Sequence, residues 1–218
     1  MSVAVQSGAA PALEHEAPGG AQASGALIPA IQQLLDRAGL VIARLDAIVF
    51  GRGPGSFTGL RTACSVAQGL GFGSGVPVLG VDTLLAVAEE ARKSCGAERV
   101  VAVLDARMDE VYFAAYEHHG GIWRQDGGPR LGRPEEVVVP AGWTIAGNAF
   151  SAYAARLAGG DARVEALPTA AALLRLAPPL IAAGQAVPAA RAAPLYVRDK
   201  VAQTTEERAA RAVRPSQP

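Results

Sequence analysis

An α/β fold is predicted by three features of the sequence. Short apolar runs alternate with segments of helical spacing across residues 1–100. One strand runs through a glycine-rich connection directly into a helix. Half of the 218 residues are apolar, enough to bury a real core.

Taken in order, residues 2–5 read as a short strand, and residues 7–24, rich in Gly, Ala and Pro, as a loop. From residue 25 to 38 the apolar set Leu27, Ile28, Ile31, Leu34, Leu35 and Ala38 has helical spacing, and Gly39 closes the helix as a C-cap. Residues 46–50 form a buried strand. It enters Gly51-Arg52-Gly53-Pro54-Gly55-Ser56-Phe57-Thr58-Gly59, and a helix follows from Leu60 to about Phe72. Residues 76–81 are the next strand, 83–93 a helix capped by Asp82 or Thr83, and 99–105 a hydrophobic strand.

Residues 111–116 follow so soon that they predict an antiparallel hairpin and the start of a second sheet. This places a boundary near residue 100, between an N-terminal lobe at 1–100 and a C-terminal lobe at 101–200. Further on, residues 118–132 read as a loop, 143–146 as a strand and 149–157 as a helix. Residues 169–183 have helical character that Pro178 and Pro179 should break or bend. Residues 194–198 are extended, and the polar, alanine-rich stretch 201–218 reads as a disordered tail.

Lys plus Arg and Asp plus Glu are each 20, so the zero net charge excludes a general attraction to phosphate backbones. Any link to RNA then runs through a partner. Cys64 and Cys95 sit in helix-like sequence and read as buried, reduced thiols rather than a disulfide. No basic segment precedes an apolar run at the N-terminus, and no stretch reaches the length of a bilayer, so a soluble cytoplasmic protein without membrane contact is expected.

The glycine loop is the most informative segment. Gly51, Gly53, Gly55 and Gly59 let a strand turn tightly into a helix and place N–H groups where an anion can bind. A plain strand-to-helix turn, with Ser56 or Thr58 as helix cap, accounts for the same residues. No Gly-Lys-Ser/Thr follows, and Ser56 stands where a dinucleotide fingerprint needs glycine. Pro54 and Thr58 flank Ser56 where a nucleophile elbow needs glycines. His118 and His119 point to opposite faces of a strand, and His15 lies in the N-terminal loop, so no metal set is assigned. Asp82, Asp105, Asp109 and Glu110 lie at strand ends, where acids serve catalysis or simply cap helices and turns. No catalytic residue, cofactor or metal ligand is assigned.

The glycine loop followed by Leu60-Arg61, then Ala67-Gln68-Gly69-Leu70, Pro77, Gly80-Val81 and Thr83-Leu84, resembles the signature of the TsaB family. TsaB proteins are the dimerization subunits of the bacterial complex that makes tRNA threonylcarbamoyladenosine. The segment from Leu104 to Tyr112 is similar to that family's hairpin, and Pro194-Leu195-Tyr196-Val197-Arg198 with Val201-Ala202 to its C-terminal motif. The resemblance implies an actin-like ATPase (ASKHA, ribonuclease H-like) fold of two lobes, each with a mixed sheet and helices. It also implies a family first strand ahead of residues 2–5, which match the second, so that either the start of the sequence is placed too late or the strand is missing.

By the same resemblance the chain is a non-catalytic scaffold that pairs with the catalytic subunit TsaD, with TsaE as a further member, and meets tRNA only through that complex. A homodimer is a further option. The apolar stripes Leu27, Ile31, Leu34, Leu35 and Ala63, Ala67, Leu70 are the interface this implies, as half of a four-helix bundle, unless they face their own sheet. A glycoprotease-like peptidase and a small-molecule kinase of the same fold are the competing classes.

Overall fold

The computed structural model describes residues 1–20, 23–157 and 159–198; the expected tail at 201–218 lies outside them. In the N-terminal half, β1 (Ser2–Val5) pairs antiparallel with β2 (Leu13–Glu16). α1 (Ala23–Ala38) follows, then β3 (Ile48–Gly53), α2 (Phe57–Ser74), β4 (Val78–Asp82) and α3 (Thr83–Cys95). β3 and β4 pair in parallel as a separate two-stranded sheet.

The C-terminal half carries β5 (Arg99–Arg107), β6 (Glu110–His119), β7 (Ile122–Gly132), β8 (Thr144–Gly147), α4 (Phe150–Tyr153), β9 (Ala162–Glu165) and α5 (Ala170–Ala182). Its strands form one mixed sheet in the order β7-β6-β5-β8-β9, antiparallel on the β6 side of β5 and parallel on the β8 side. The predicted hairpin is present, turning through Arg107, Met108 and Asp109 in left-handed conformation.

α3 lies between the two halves. Leu84, Val87, Ala88 and Ala91 are fully buried against β5, β6 and β8, while Ala86 packs with Leu79, Val81 and the α5 residues Ala172 and Leu176. α1 covers one face of the β1–β2 pair, with Leu34 and Leu35 against Val3 and Val5. Among the described residues β1 pairs only with β2 and β3 only with β4.

Several local expectations are corrected. Residues 7–24, read as loop, contain β2 and the start of α1: the Leu-Glu-His-Glu strand is half charged because its outer face meets solvent. Residues 118–132, also read as loop, contain β7, an edge strand whose Gly127, Gly128 and Pro129 disguise it. α5 runs unbroken through Pro178 and Pro179, held by buried Ala171, Ala172, Leu176 and Ala177 on its inner face. α4 is far shorter than residues 149–157. Cys64 is buried as expected, but Cys95, in the last turn of α3, is exposed.

Candidate functional site

β3 ends at Gly53, whose φ of 128° is closed to most side chains. Its N–H donates to Thr83 Oγ1 at 3.1 Å, tying the loop to the start of α3. The far end of the chain then closes over it: Leu195 N–H donates to the Arg52 carbonyl at 2.6 Å. A Cβ on Gly53 would lie 2.4 Å from the Leu195 carbonyl oxygen. Gly51, Gly55 and Gly59 have no such constraint, since a Cβ there would meet its nearest neighbour at 3.6, 3.8 and 3.6 Å. The demanding glycine is therefore Gly53.

Ser56 stands at the N-cap of α2, yet its hydroxyl makes no capping bond, and Thr58 is already inside the helix. The capping role expected for them is corrected. The helix start is instead braced by Tyr196, whose ring lies 5.5 Å from that of Phe57 and whose hydroxyl accepts from Arg61 Nε at 3.0 Å. The Arg61 guanidinium stacks 3.7 Å from the Phe57 ring centre. Aromatic, cation and hydrogen bond thus fix one end of α2 to a segment about 140 residues further on.

The strand-end acids are occupied as well. Asp82 stands at the N-cap of α3 without capping it and pairs with Arg52 at 2.6 Å. Asp105 accepts from Arg107 N–H at 2.7 Å and from the Tyr153 hydroxyl at 3.3 Å. Asp109 pairs with Arg156, and Glu110 with Arg198 at 2.6 Å. Each carboxylate is matched to an arginine, an arrangement of structural ion pairs rather than a pair of acids converging on one reacting atom. Arg52 and Asp82 border a cavity of about 210 Å³ together with Tyr116 and Gln125. The Tyr116 hydroxyl is buried without a hydrogen-bond partner, and burial, reinforced by Asp82, pushes its phenol well above its ordinary value.

The helical stripes expected to meet a partner are turned inward. Leu34 is 1% exposed and Leu35 2%, both in the core beneath β1, because these two residues cover the apolar face of that strand. Ala67 is buried against Phe50, and Leu27, Ile31, Ala63 and Leu70 are half-buried around a cleft between the N-terminal sheets. The surfaces that α1 and α2 offer to solvent carry other apolar residues: Ile28 is 56% exposed and Phe72 66%.

One cluster gave no signal in the sequence. Glu89, 2% exposed on α3, accepts hydrogen bonds from Arg92 and Arg175 Nε at 2.9 Å and from Trp123 Nε1 at 3.0 Å. Burial alone would raise its carboxyl, but the bonds from Arg92, Trp123 and Arg175 outweigh it and hold Glu89 below its ordinary value. The adjacent Glu89-Glu90 pair with Arg92 three residues on looks like a solvated helix face in sequence. Its Arg175 and Trp123 partners come from α5 and β7.

The family described as TsaD, tRNA N6-adenosine threonylcarbamoyltransferase, matches residues 14–216 of the chain. The tRNA threonylcarbamoyladenosine biosynthesis protein TsaB of Escherichia coli K12 is 36% identical over 187 residues, spanning 81% of this chain and 80% of its own length. TsaB of Haemophilus influenzae is 35% identical over 194 residues, with 80% and 79% covered. A Pseudomonas aeruginosa crystal structure, described as an uncharacterized protein with similarity to peptidase YEAZ, matches with a TM-score of 0.83 at 42% identity, over 90% of this chain and 94% of that one. With the family match running over residues 14–216 and TsaB proteins at 35–36% identity covering about four fifths of the chain, the chain belongs to the TsaB family.

Proposed function

We propose that the chain is the non-catalytic dimerization subunit of the tRNA threonylcarbamoyladenosine complex. It binds TsaD, with TsaE as a further member, and supports threonylcarbamoyl transfer to the adenosine 3′ of the anticodon. It does so in the cytoplasm; no described helix is long and apolar enough to cross a membrane. Neutral overall charge leaves tRNA contact to the assembled complex.

The observation that carries this reading is the closed glycine loop. Its tightest point is filled by the chain's own Leu195, and its helix start is stacked under Tyr196, so the segment serves as a buckle between the β3–α2 loop and residues 195–196. A peptidase reading needs a base beside Ser56, but His15 lies on β2 and His118 and His119 on β6, none on the elements that flank the loop. Binding belongs instead to the solvent faces of α1 and α2, where Ile28 and Phe72 are exposed and Ser65, Gly69 and Gly73 leave room for a second helix to approach.

Phe72→Asp tests it. Co-elution with TsaD should be lost and TsaD-dependent tRNA modification should fall at least about tenfold, with the thermal midpoint unchanged, because a charge in a desolvated interface costs several kcal/mol. Unchanged co-elution would move the interface elsewhere. A Ser56→Ala chain that binds TsaD normally yet yields no modified tRNA would reveal chemistry in the loop.

A further inference from the structure

The cavity of about 210 Å³ beside Arg52 lies between the two halves of the molecule. Arg52 and residues 80–82, at the ends of β3 and β4, form one wall with Leu85 of α3 beside them. Tyr116 of β6 and Trp123 and Gln125 of β7 form the other. Tyr116 and Gln125 are cross-strand partners and Trp123 lies two residues from Gln125, so all three side chains leave the same face of the C-terminal sheet. Leu180 and Gln185, at and just beyond the end of α5, complete the border.

The polar groups of this space are only half used. Arg52 Nε donates to Asp82 Oδ1 at 2.6 Å, but among the described residues the terminal nitrogens of Arg52 and the second oxygen of Asp82 have no hydrogen-bond partner. The Arg52 stem is held over Gly80, where a Cβ would come within 3.2 Å of its Cδ. The side-chain amides of Gln125 and Gln185, both exposed, are likewise without a partner among the described residues. Tyr116 is 1% exposed, with its ring in the α3 core beside Leu84 and Ala88 and edge-on to Trp123 at 6.4 Å. Its hydroxyl is the one buried side-chain polar atom among the described residues that bonds to nothing. The charges of Asp82 and Arg52 both act on that hydroxyl, which puts it at the inner end of the cavity. Burial keeps the phenol protonated, so it can both donate and accept.

Size and charge together define an occupant. At ~30 Å³ per molecule the space holds about seven waters, room for a metabolite of about eight or nine non-hydrogen atoms and too little for a nucleotide. One fixed cation and one fixed anion on the same wall match a molecule that carries one of each. At the inner end, against the α3 core, a charge would be costly to desolvate, so the group that meets Tyr116 is uncharged and forms hydrogen bonds.

We propose that this cavity binds a free α-amino acid with a short, uncharged polar side chain. Its carboxylate pairs with the terminal nitrogens of Arg52, its ammonium with the free oxygen of Asp82, and its side-chain amide or hydroxyl with the Tyr116 hydroxyl, while Gln125 and Gln185 close the mouth. Because the walls come from both halves, occupancy holds the halves together.

The test is calorimetric titration of the full 218-residue chain with L-asparagine and L-serine. One of them should bind with a Kd below about 1 mM and raise the thermal midpoint. L-Leucine, which lacks the polar end, L-aspartate, which charges it, and propionamide, which lacks the ammonium and carboxylate of asparagine, should each bind at least about tenfold more weakly. Tyr116→Phe keeps the ring and removes only an unpaired buried hydroxyl, so the ligand-free chain should melt no lower than the native one, while the affinity falls at least about tenfold. Gln125→Ala, at an exposed position, should weaken binding severalfold with the midpoint unmoved, and it decides the matter should Tyr116→Phe fail to fold. No binding of either amino acid at about 10 mM would overturn the proposal and leave solvent as the occupant. Leucine or propionamide binding as tightly as asparagine, or an affinity untouched by both substitutions, would overturn it too.

Discussion

In the C-terminal sheet β5 sits between two partners, and residues 100–104 are all but inaccessible. In the N-terminal half, β1 and β3 each pair on one side only among the described residues, and Ile48 and Val49 stay half-buried. Hydrogen-bonded ladders unify one half. In the other, α1, α2 and α5 do that work through side-chain packing, so the two halves rest on two different kinds of cohesion.

Leu34→Asp should separate the two halves most sharply. It places a charge under β1, in a cluster reinforced only by the two-stranded β1–β2 ladder, and should cost about 4 kcal/mol or more, with Leu34→Ala nearer about 3 kcal/mol. Hydrogen exchange should show protection lost in β1 and β2 first while β5 and β6 hold; simultaneous loss in both halves would mean that they unfold as one unit. The same burial means that Leu34→Asp reports folding, not partner binding.

Glu89→Gln comes next, because Glu89 and Glu90 on α3 clamp Arg175 of α5 and so join the halves. Removing one charge of a buried cluster should cost about 3 kcal/mol in a urea titration. Glu89 is held below its unfolded value, so its contribution is complete at neutral pH, above the unfolded carboxylate value, and is lost as pH falls through the depressed folded value. The native chain should therefore destabilise in acid more steeply than the Gln variant. Equal acid slopes would remove Glu89 from the account.

Glycine substitutions give a smaller contrast. Gly53→Ala must strain the backbone and displace Leu195, a loss of about 2 kcal/mol, whereas Gly59→Ala, inside α2 with ordinary contacts, should stabilise by up to about 1 kcal/mol. Thermal melts of the two variants side by side decide it. Phe72→Asp should change stability least, within about 0.5 kcal/mol, as expected of an exposed position.

Local signals were legible where they were strong. The β3-loop-α2 succession and the β5–β6 hairpin could be read from apolar runs and glycine placement, and α1 from its periodicity. β2 and β7 could not, since edge strands exposed on a face carry charged residues and, in β7, Gly and Pro. The loop's glycines pointed to a special backbone, but which one mattered depended on Leu195, and nothing local to Gly53 encodes that contact. The apolar stripe on α1 was visible; that Leu34 and Leu35 face inward while Ile28 faces out depended on where β1 lies.

The seat of Leu195 and Tyr196 on the glycine loop bears on how the chain is made. A ribosome releases residues 51–61 long before residues 194–198, so for most of synthesis the loop lacks its closing hydrogen bond and α2 its aromatic brace. β1 waits as well, since Ser2 is fastened to Ala170 at the head of α5. The half that emerges first is thus the half completed last.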